Sequence, residues 1–417
     1  MDRLDTIPTE QLLARGFAHM DRRAFLRLAA MAGAGAIASA RGFAEDAPAS
    51  ATAGAPELAK FPEKTDLILL TDRPPQLEMP LRYFRQELTP NEAFFVRWHL
   101  SGIPTSIDVG TFRLAVGGHV ENPLTLTLDQ LRKDFEQVSV VAVNQCSGNS
   151  RSFFEPRVPG GQWANGAMGN AKWTGVRMRD LLKKAKPKSG AVDVTFQGLD
   201  RAPLPATPAF IKSLPADRAG ELDAIVAYEM NGAPLPMLNG FPLRLVVPGW
   251  FATYWVKALN EINVTSEKFP GFWMAKAYRV PANPEMAESP KELAKDTVPI
   301  STMPIRSLFA RPEPGEKLAA GKAYDIEGLA FDSGKGIQKV EVSTDGGKTW
   351  VAATLGKDLG KYSWRLWKFT WTPSTKGPTT LMARATNAAG ETQPATPRWN
   401  RSGYARNVIE RLEVTVK

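Results

Sequence analysis

Cys146 is the only cysteine in 417 residues. It follows an apolar, β-type run, Val138-Ser-Val-Val-Ala-Val143, and opens the polar loop Cys146-Ser-Gly-Asn-Ser-Arg151. A strand that delivers one sulfur to a glycine-containing polar loop can present a thiolate to a bound group. A lone Cys that is merely a small buried hydrophobe is the alternative. The other metal-binding side chains narrow the chemistry. One Cys and three His (His19, His99 and His119) cannot make a common zinc site. Without a Cys-x-x-Cys-His run there is no covalently attached haem.

The N-terminus places this cysteine in context. Asp21-Arg22-Arg23-Ala-Phe25-Leu26 precedes a small, apolar stretch over 28–40 and a small-x-small site, Gly42-Phe-Ala44. These are the parts of a signal peptide over 1–44, and the paired arginines are similar to a twin-arginine signal. That route carries folded proteins, often with a cofactor inserted, to the periplasm. Disulfides form there, yet one Cys makes no internal disulfide. An exported single-Cys chain that must fold first is a candidate for a metal cofactor with one protein sulfur ligand. No later stretch is apolar for 18 residues, so no membrane insertion of the mature chain is expected.

Composition is that of a globular protein, and the length allows two or three domains. The formal charge of +9 suits anionic substrates or an acidic partner. The basic residues are scattered rather than in runs, which argues against nucleic-acid binding.

A disordered Ala/Pro spacer is expected over 45–60, followed by a globular region that mixes short strands with short helices. Residues 94–100 and 111–116 read as strands. A short helix after residue 126 is capped by Thr127 or Asp129, and a second capped helix is expected over 173–182. Residues 192–197 and the stretch before the Asn231-Gly232 turn read as strands, and Arg244 lies beside another. After a Pro, Glu and Lys-rich connection over 281–305, alternating strands with glycine turns predict an immunoglobulin-like sandwich. The expected fold class is therefore α+β, with a catalytic domain over 61–300 and an all-β domain over 301–417.

Several motifs, in this order, resemble the sulfite oxidase family of molybdenum enzymes. They are Phe95-Val-Arg-Trp-His99, Gln145-Cys-Ser-Gly-Asn-Ser-Arg151, Trp163 before Gly166-Ala, Trp173-Thr-Gly-Val, Tyr228-Glu-Met-Asn-Gly, Gly240-Phe-Pro-Leu-Arg244 and Trp399-Asn-Arg401. The resemblance covers roughly residues 61–417. It implies that Cys146 ligates molybdenum held by molybdopterin; soft thiolate sulfur suits such a metal. It also implies that Arg97 and Arg151 line an anion pocket, with Tyr278 and Trp163 beside them. Arg401 joins them through an alignment that needs a gap. The pterin cradle it implies comprises Phe95, Val96, Arg97, Trp98, His99, Asp200, Asn239, Arg244, Trp255, Val256 and Lys257. Vertebrate relatives have His at the position of Asn239, which can carry a charge that Asn cannot. His119 has no matching role.

The implied reaction is periplasmic oxidation of sulfite to sulfate, with electrons leaving singly to a c-type cytochrome that is an acceptor or a subunit. The C-terminal region resembles the family's dimerisation domain, so a homodimer or a heterodimer is expected. Two other readings remain. One is a molybdopterin reductase of S- or N-oxides with the same fold, and the other is an exported binding protein whose Cys is only buried.

Overall fold

The computed structural model describes residues 58, 59, 61 and 63–417. The signal peptide and most of the spacer lie outside the described residues. The spacer's Leu58–Ala59 pair with Ile68 and Leu67. Strands dominate, and the described helices are short, the longest being Met178–Ala185. The α+β expectation thus becomes a mostly β fold with few helices. Among the described residues, no helix is long and apolar enough to cross a membrane.

The strand that carries the cysteine is Gln137–Gln145. Its first residues alternate in exposure, whereas Ala142 through Cys146 are buried, so it runs from solvent into the core. It pairs antiparallel with Met168–Arg177, which pairs with Ile225–Met230; that strand also pairs with Arg244–Val246. One sheet therefore holds both Cys146 and Arg244.

Here the helix expected over 173–182 is corrected. Trp173 through Arg177 complete the central strand, and the helix begins at Met178. The Trp173 indole is fully buried and donates to the carbonyl of Ala142 at 3.2 Å. Gly175 lies against the backbone of Val226, where any Cβ would collide. Burial on both faces of this strand outweighs the helical spacing of the apolar residues beyond it. The helix Leu128–Asp134 does start as expected, with Thr127 and Gln130 exchanging side-chain and backbone hydrogen bonds.

A second sheet runs in the order Ile211–Pro215, Asp193–Gly198, Leu259–Thr265, Leu114–Gly118, Leu124–Leu126. Beyond Thr297–Pro299, which pairs with Arg279–Pro281, two further sheets face each other. Arg306–Arg311, Tyr324–Phe331, Arg365–Trp371 and Thr354–Leu355 form one. Lys317–Leu318, Glu410–Val416, Gly377–Asn387, Ile337–Ser343 and Val351–Ala352 form the other. Ile326 and Trp367 of the first share an apolar core with Val340, Leu381 and Val414 of the second.

The two regions are joined through polar groups at the cysteine loop. Arg306, at the first sandwich strand, is fully buried. Its Nη2 donates to Ser150 Oγ at 2.7 Å, to Asn165 Oδ1 at 3.0 Å and to Glu410 Oε1 at 2.8 Å. Glu410 keeps Arg406 Nη1 at 2.9 Å when Arg306 is removed, so the loss is that of the buried hydrogen bonds to Ser150 and Asn165, about 1–3 kcal/mol. Arg306→Leu should lower the urea-unfolding free energy by about that amount and speed thiol labelling of Cys146 in the cofactor-free protein. Unchanged stability and labelling would mean that the joint does not hold the loop.

Candidate active site

The loop after Cys146 folds back on the sheet. The Cys146 amide donates to the carbonyl of Ala167 at 2.9 Å, and the Ala167 amide donates to Asn149 Oδ1 at 3.0 Å. Ser150 takes the left-handed conformation, with φ 69°, and its hydroxyl donates to Asn165 Oδ1 at 2.5 Å. This reversal turns the buried Arg151 guanidinium back beneath the loop. It donates from Nη1 to Gly161 O at 3.0 Å, and from Nε and Nη2 to Ser402 O at 3.3 and 3.2 Å. A Cβ on Gly148 would lie 2.5–2.7 Å from its terminal atoms, so the arginine requires glycine in the motif.

Cys146 opens on a cavity. Arg97, His99, Arg244, Lys257 and Tyr278 line it with Phe95, Asn144, Ser147, Asn239 and Trp255. None of its cations is ion-paired to an acid among the described residues. Arg97 donates to the carbonyl of Trp98, and Arg244 donates to Asn239 O at 2.9 Å and Asn144 Oδ1 at 3.2 Å. Arg151, expected in the pocket, does not line the cavity; it lies beneath the cysteine loop and bonds only carbonyl oxygens. Lys257 lies 4.6 Å from the centre of the Trp98 ring.

Two buried lysines stand behind the wall. Lys64 donates to Asn91 O at 2.7 Å and to Asn239 Oδ1, and Lys212 donates to Trp273 O at 2.7 Å. Burial lowers Lys64 and Lys212 to about 7 and Arg244 to about 9. It also pushes Lys257 well down, helped by Arg244. Asp200, raised by burial, is the nearby acid, and it lies outside the cavity wall.

His99 and Tyr278 form a pair. The Tyr278 hydroxyl meets His99 Nε2, and the imidazole stacks on Phe210 with centroids 3.7 Å apart. Burial, then the charges of Arg97, Lys257 and Lys212, push His99 well below its usual range, so it is neutral. Burial raises Tyr278, so the phenol keeps its proton. Tyr278 has φ 54°, a sparsely populated backbone state for a residue with a Cβ. Its ring lies parallel to that of Tyr404, with centroids 5.5 Å apart.

Most of the residues expected at the site meet here, but not all. Arg401 is directed outward and bound to Glu288 at 2.6–3.1 Å. Its neighbours Ser402 and Tyr404 are the ones that reach Arg151. Trp163 is a core residue, edge-on to Phe95 with centroids 6.5 Å apart, and does not line the cavity. Val96, Trp98 and Val256 are buried behind the wall. The Asn239 side chain is spent on Lys64 and on Phe95 O. Sequence reading missed Lys64, Asn144, Lys212 and Tyr404. Only Asn144, two residues before the cysteine, carried a signal of position.

The family profile described as "Oxidoreductase molybdopterin binding domain" matches residues 100–273, and "Mo-co oxidoreductase dimerisation domain" matches 297–417. Chicken (Gallus gallus) sulfite oxidase is 32% identical over 380 residues, covering 86% of this chain and 80% of its own. The chain belongs to the sulfite oxidase family of molybdenum enzymes. Rat (Rattus norvegicus) mitochondrial sulfite oxidase is 34% identical over 83% of this chain, which spans only 65% of the rat protein's length. The crystal structure of the sulfane dehydrogenase SoxCD from Paracoccus pantotrophus shares the fold, with TM-score 0.70 and 22% identity. It covers 89% of this chain and 94% of that one.

The cofactor of this sulfite oxidase family member is molybdenum–molybdopterin, and the site fits it. Asn144 Nδ2, Ser147 Oγ and Arg244 Nε are buried donors without partners, and all three residues line the cavity. Buried donors and uncompensated cations call for an anion rich in acceptor oxygens. Among the described residues no three His, Cys, Asp or Glu side chains cluster to hold a metal, so this chain offers the sulfur of Cys146.

Two outcomes are expected. Gly148→Ala should displace the Arg151 guanidinium and raise the KM for an anionic substrate roughly tenfold, a loss typical of a charged hydrogen bond. An unchanged KM would remove Arg151 from the pocket. The second outcome is pH-dependent. In the cofactor-free fold Lys212 releases its proton near pH 7, whereas the unfolded chain holds it to about pH 10. Between these limits the unfolded state binds more protons, so stability rises with pH. Lys212→Met should therefore stabilise the cofactor-free chain most below about pH 7, with the gain shrinking toward about pH 10. A gain independent of pH would mean that the ammonium is not desolvated.

Proposed function

We propose that this chain oxidises sulfite to sulfate in the periplasm and passes the electrons singly to a c-type cytochrome. The observation that carries the reading is the set of buried cations, none ion-paired to an acid among the described residues, around one cysteine sulfur. The Cys146 thiolate would ligate the metal. Arg244 and Lys257, with Asn144 Nδ2 and Ser147 Oγ, would hold the anionic pterin. When bound, the cofactor supplies two-electron oxygen-atom chemistry.

The chain's own residues do the rest. Arg97 and Arg151 offer fixed positive charge and planar donors to a tetrahedral oxyanion. Sulfite and water give sulfate, two protons and two electrons. His99 and Tyr278 would relay protons out of the pocket only while a bound anion offsets the charges that lower the imidazole's proton affinity. A neutral sulfoxide needs no such cation set, which favours sulfite over reduction of S- or N-oxides.

The periplasmic part of the proposal rests on Arg22-Arg23 and the apolar stretch behind them. Pairing of chains rests on the dimerisation-domain match over 297–417. An immunoglobulin-type sandwich is part of the proposal; what supports it is that, with Lys317–Leu318 and Val351–Ala352 set aside, the strands lettered in chain order pair as A-B-E-D and G-F-C.

The test is metal analysis of the purified protein beside sulfite-dependent reduction of cytochrome c. About one molybdenum per chain with turnover is expected, with loss of both in Cys146→Ser. Molybdenum without sulfite turnover would overturn the substrate, and full metal content in Cys146→Ser would overturn the ligand.

A further inference from the structure

Lys212 is fully buried on the strand Ile211–Pro215 and lies outside the cavity wall. Its ammonium is 4.7 Å from the centre of the Tyr254 ring and 5.0 Å from that of Tyr278, and it donates to the carbonyl of Trp273. No carboxylate pairs with it among the described residues. Burying an unpaired ammonium costs several kcal/mol, and an apolar side chain of similar length would fill the space without that cost. A purely structural account of this lysine therefore fails.

What the charge touches suggests its use. Trp273 belongs to the four-residue helix Phe272–Ala275, and the chain leaving it reaches Tyr278 in its strained conformation. The lysine holds both ends of this segment, one through a carbonyl and the other through a ring. The hydroxyl of that ring meets His99 at the cavity. The groups facing the ammonium are thus two tyrosine rings and one carbonyl, with the neutral His99 next. Arg97 and Lys257 also act on His99.

We propose that Lys212 is a positioning residue of the anion pocket. Through Trp273 and the Tyr278 ring it fixes the phenol against His99 and adds a positive charge behind it. An anion arriving on the far side of the ring favours the charged ammonium, so binding takes up a proton. The identity of the anion rests on the sulfite reading, but the role of the lysine does not.

Sulfate separates the two, because its charge is constant over the pH range used. Its binding to the molybdenum-loaded enzyme would be measured calorimetrically at about pH 6 and pH 9, beside the KM and kcat for sulfite. At the lower pH, Lys212→Met should weaken sulfate binding roughly tenfold, the effect of one charge at this range in a partly screened site. KM should rise more than kcat falls. At the higher pH the native lysine is itself neutral, so the two proteins should converge. Lys212→Arg should keep the affinity and lose its pH dependence. Equal sulfate affinity of the native protein and Lys212→Met at both pH values would overturn the proposal, as would no sulfate binding by the native enzyme. Sulfate binding that follows Lys212 without sulfite turnover would sustain it while removing sulfite as substrate.

Discussion

Positive charge buried without ion-paired acids is the constraint on which this structure depends. Arg97, Arg244 and Lys257 line one cavity with Cys146, with Arg151 beneath the cysteine loop and Lys64 and Lys212 one layer behind, and each finds only carbonyl, amide or aromatic partners. These charges repel one another, and the buried Lys64, Arg151, Lys212 and Arg244 have lost most of their hydration, a penalty of several kcal/mol per ion. An anionic ligand converts that penalty into affinity. Whatever binds the folded chain alone then stabilises it by an amount that grows with the logarithm of its concentration over Kd, so cofactor binding and folding are coupled.

The scaffold that withstands this repulsion is shared between both regions of the chain. Arg151 hangs from Ser402 O and lies over the ring of Tyr404, and both belong to the long connection between the last two strands of the sandwich. The Ala405 amide closes on Ser147 O at 3.1 Å. Arg306 reaches Ser150 from the first sandwich strand. The sandwich region is therefore part of the scaffold of the active site, because two of its segments fix the loop that follows Cys146.

This division explains what could be read from the sequence. Cys146 was legible from the strand that runs into its polar loop, and Arg97, Arg244 and Tyr278 from contiguous motifs that resemble the family's. The capped helix at Thr127 was legible because its cap is local. The strand at Trp173 was not, since burial on both of its faces removes the period of two that marks a half-exposed strand. Arg401 misled because a match in sequence does not say which residue of a tight loop turns inward. Glu288, over a hundred residues away, claims its guanidinium. Lys212 was invisible. It is a lone lysine in an edge strand, and only the packing of Tyr254, Trp273 and Tyr278 around it takes it out of water.

The missing acids have a second consequence, for proton transfer. His99 sits among Arg97, Lys257 and Lys212, which together with burial hold it neutral. A carboxylate placed to relieve these cations would raise the proton affinity of the imidazole. Without one, the charges that draw in an anion also oppose protonation of His99 and make it a weak base. Oxidation of a sulfur oxyanion by water releases protons in the same step sequence that needs an electropositive pocket, so anion attraction and proton removal pull against each other. A bound anion offsets the positive charge around His99 and raises its proton affinity, so proton removal becomes coupled to the presence of the anion.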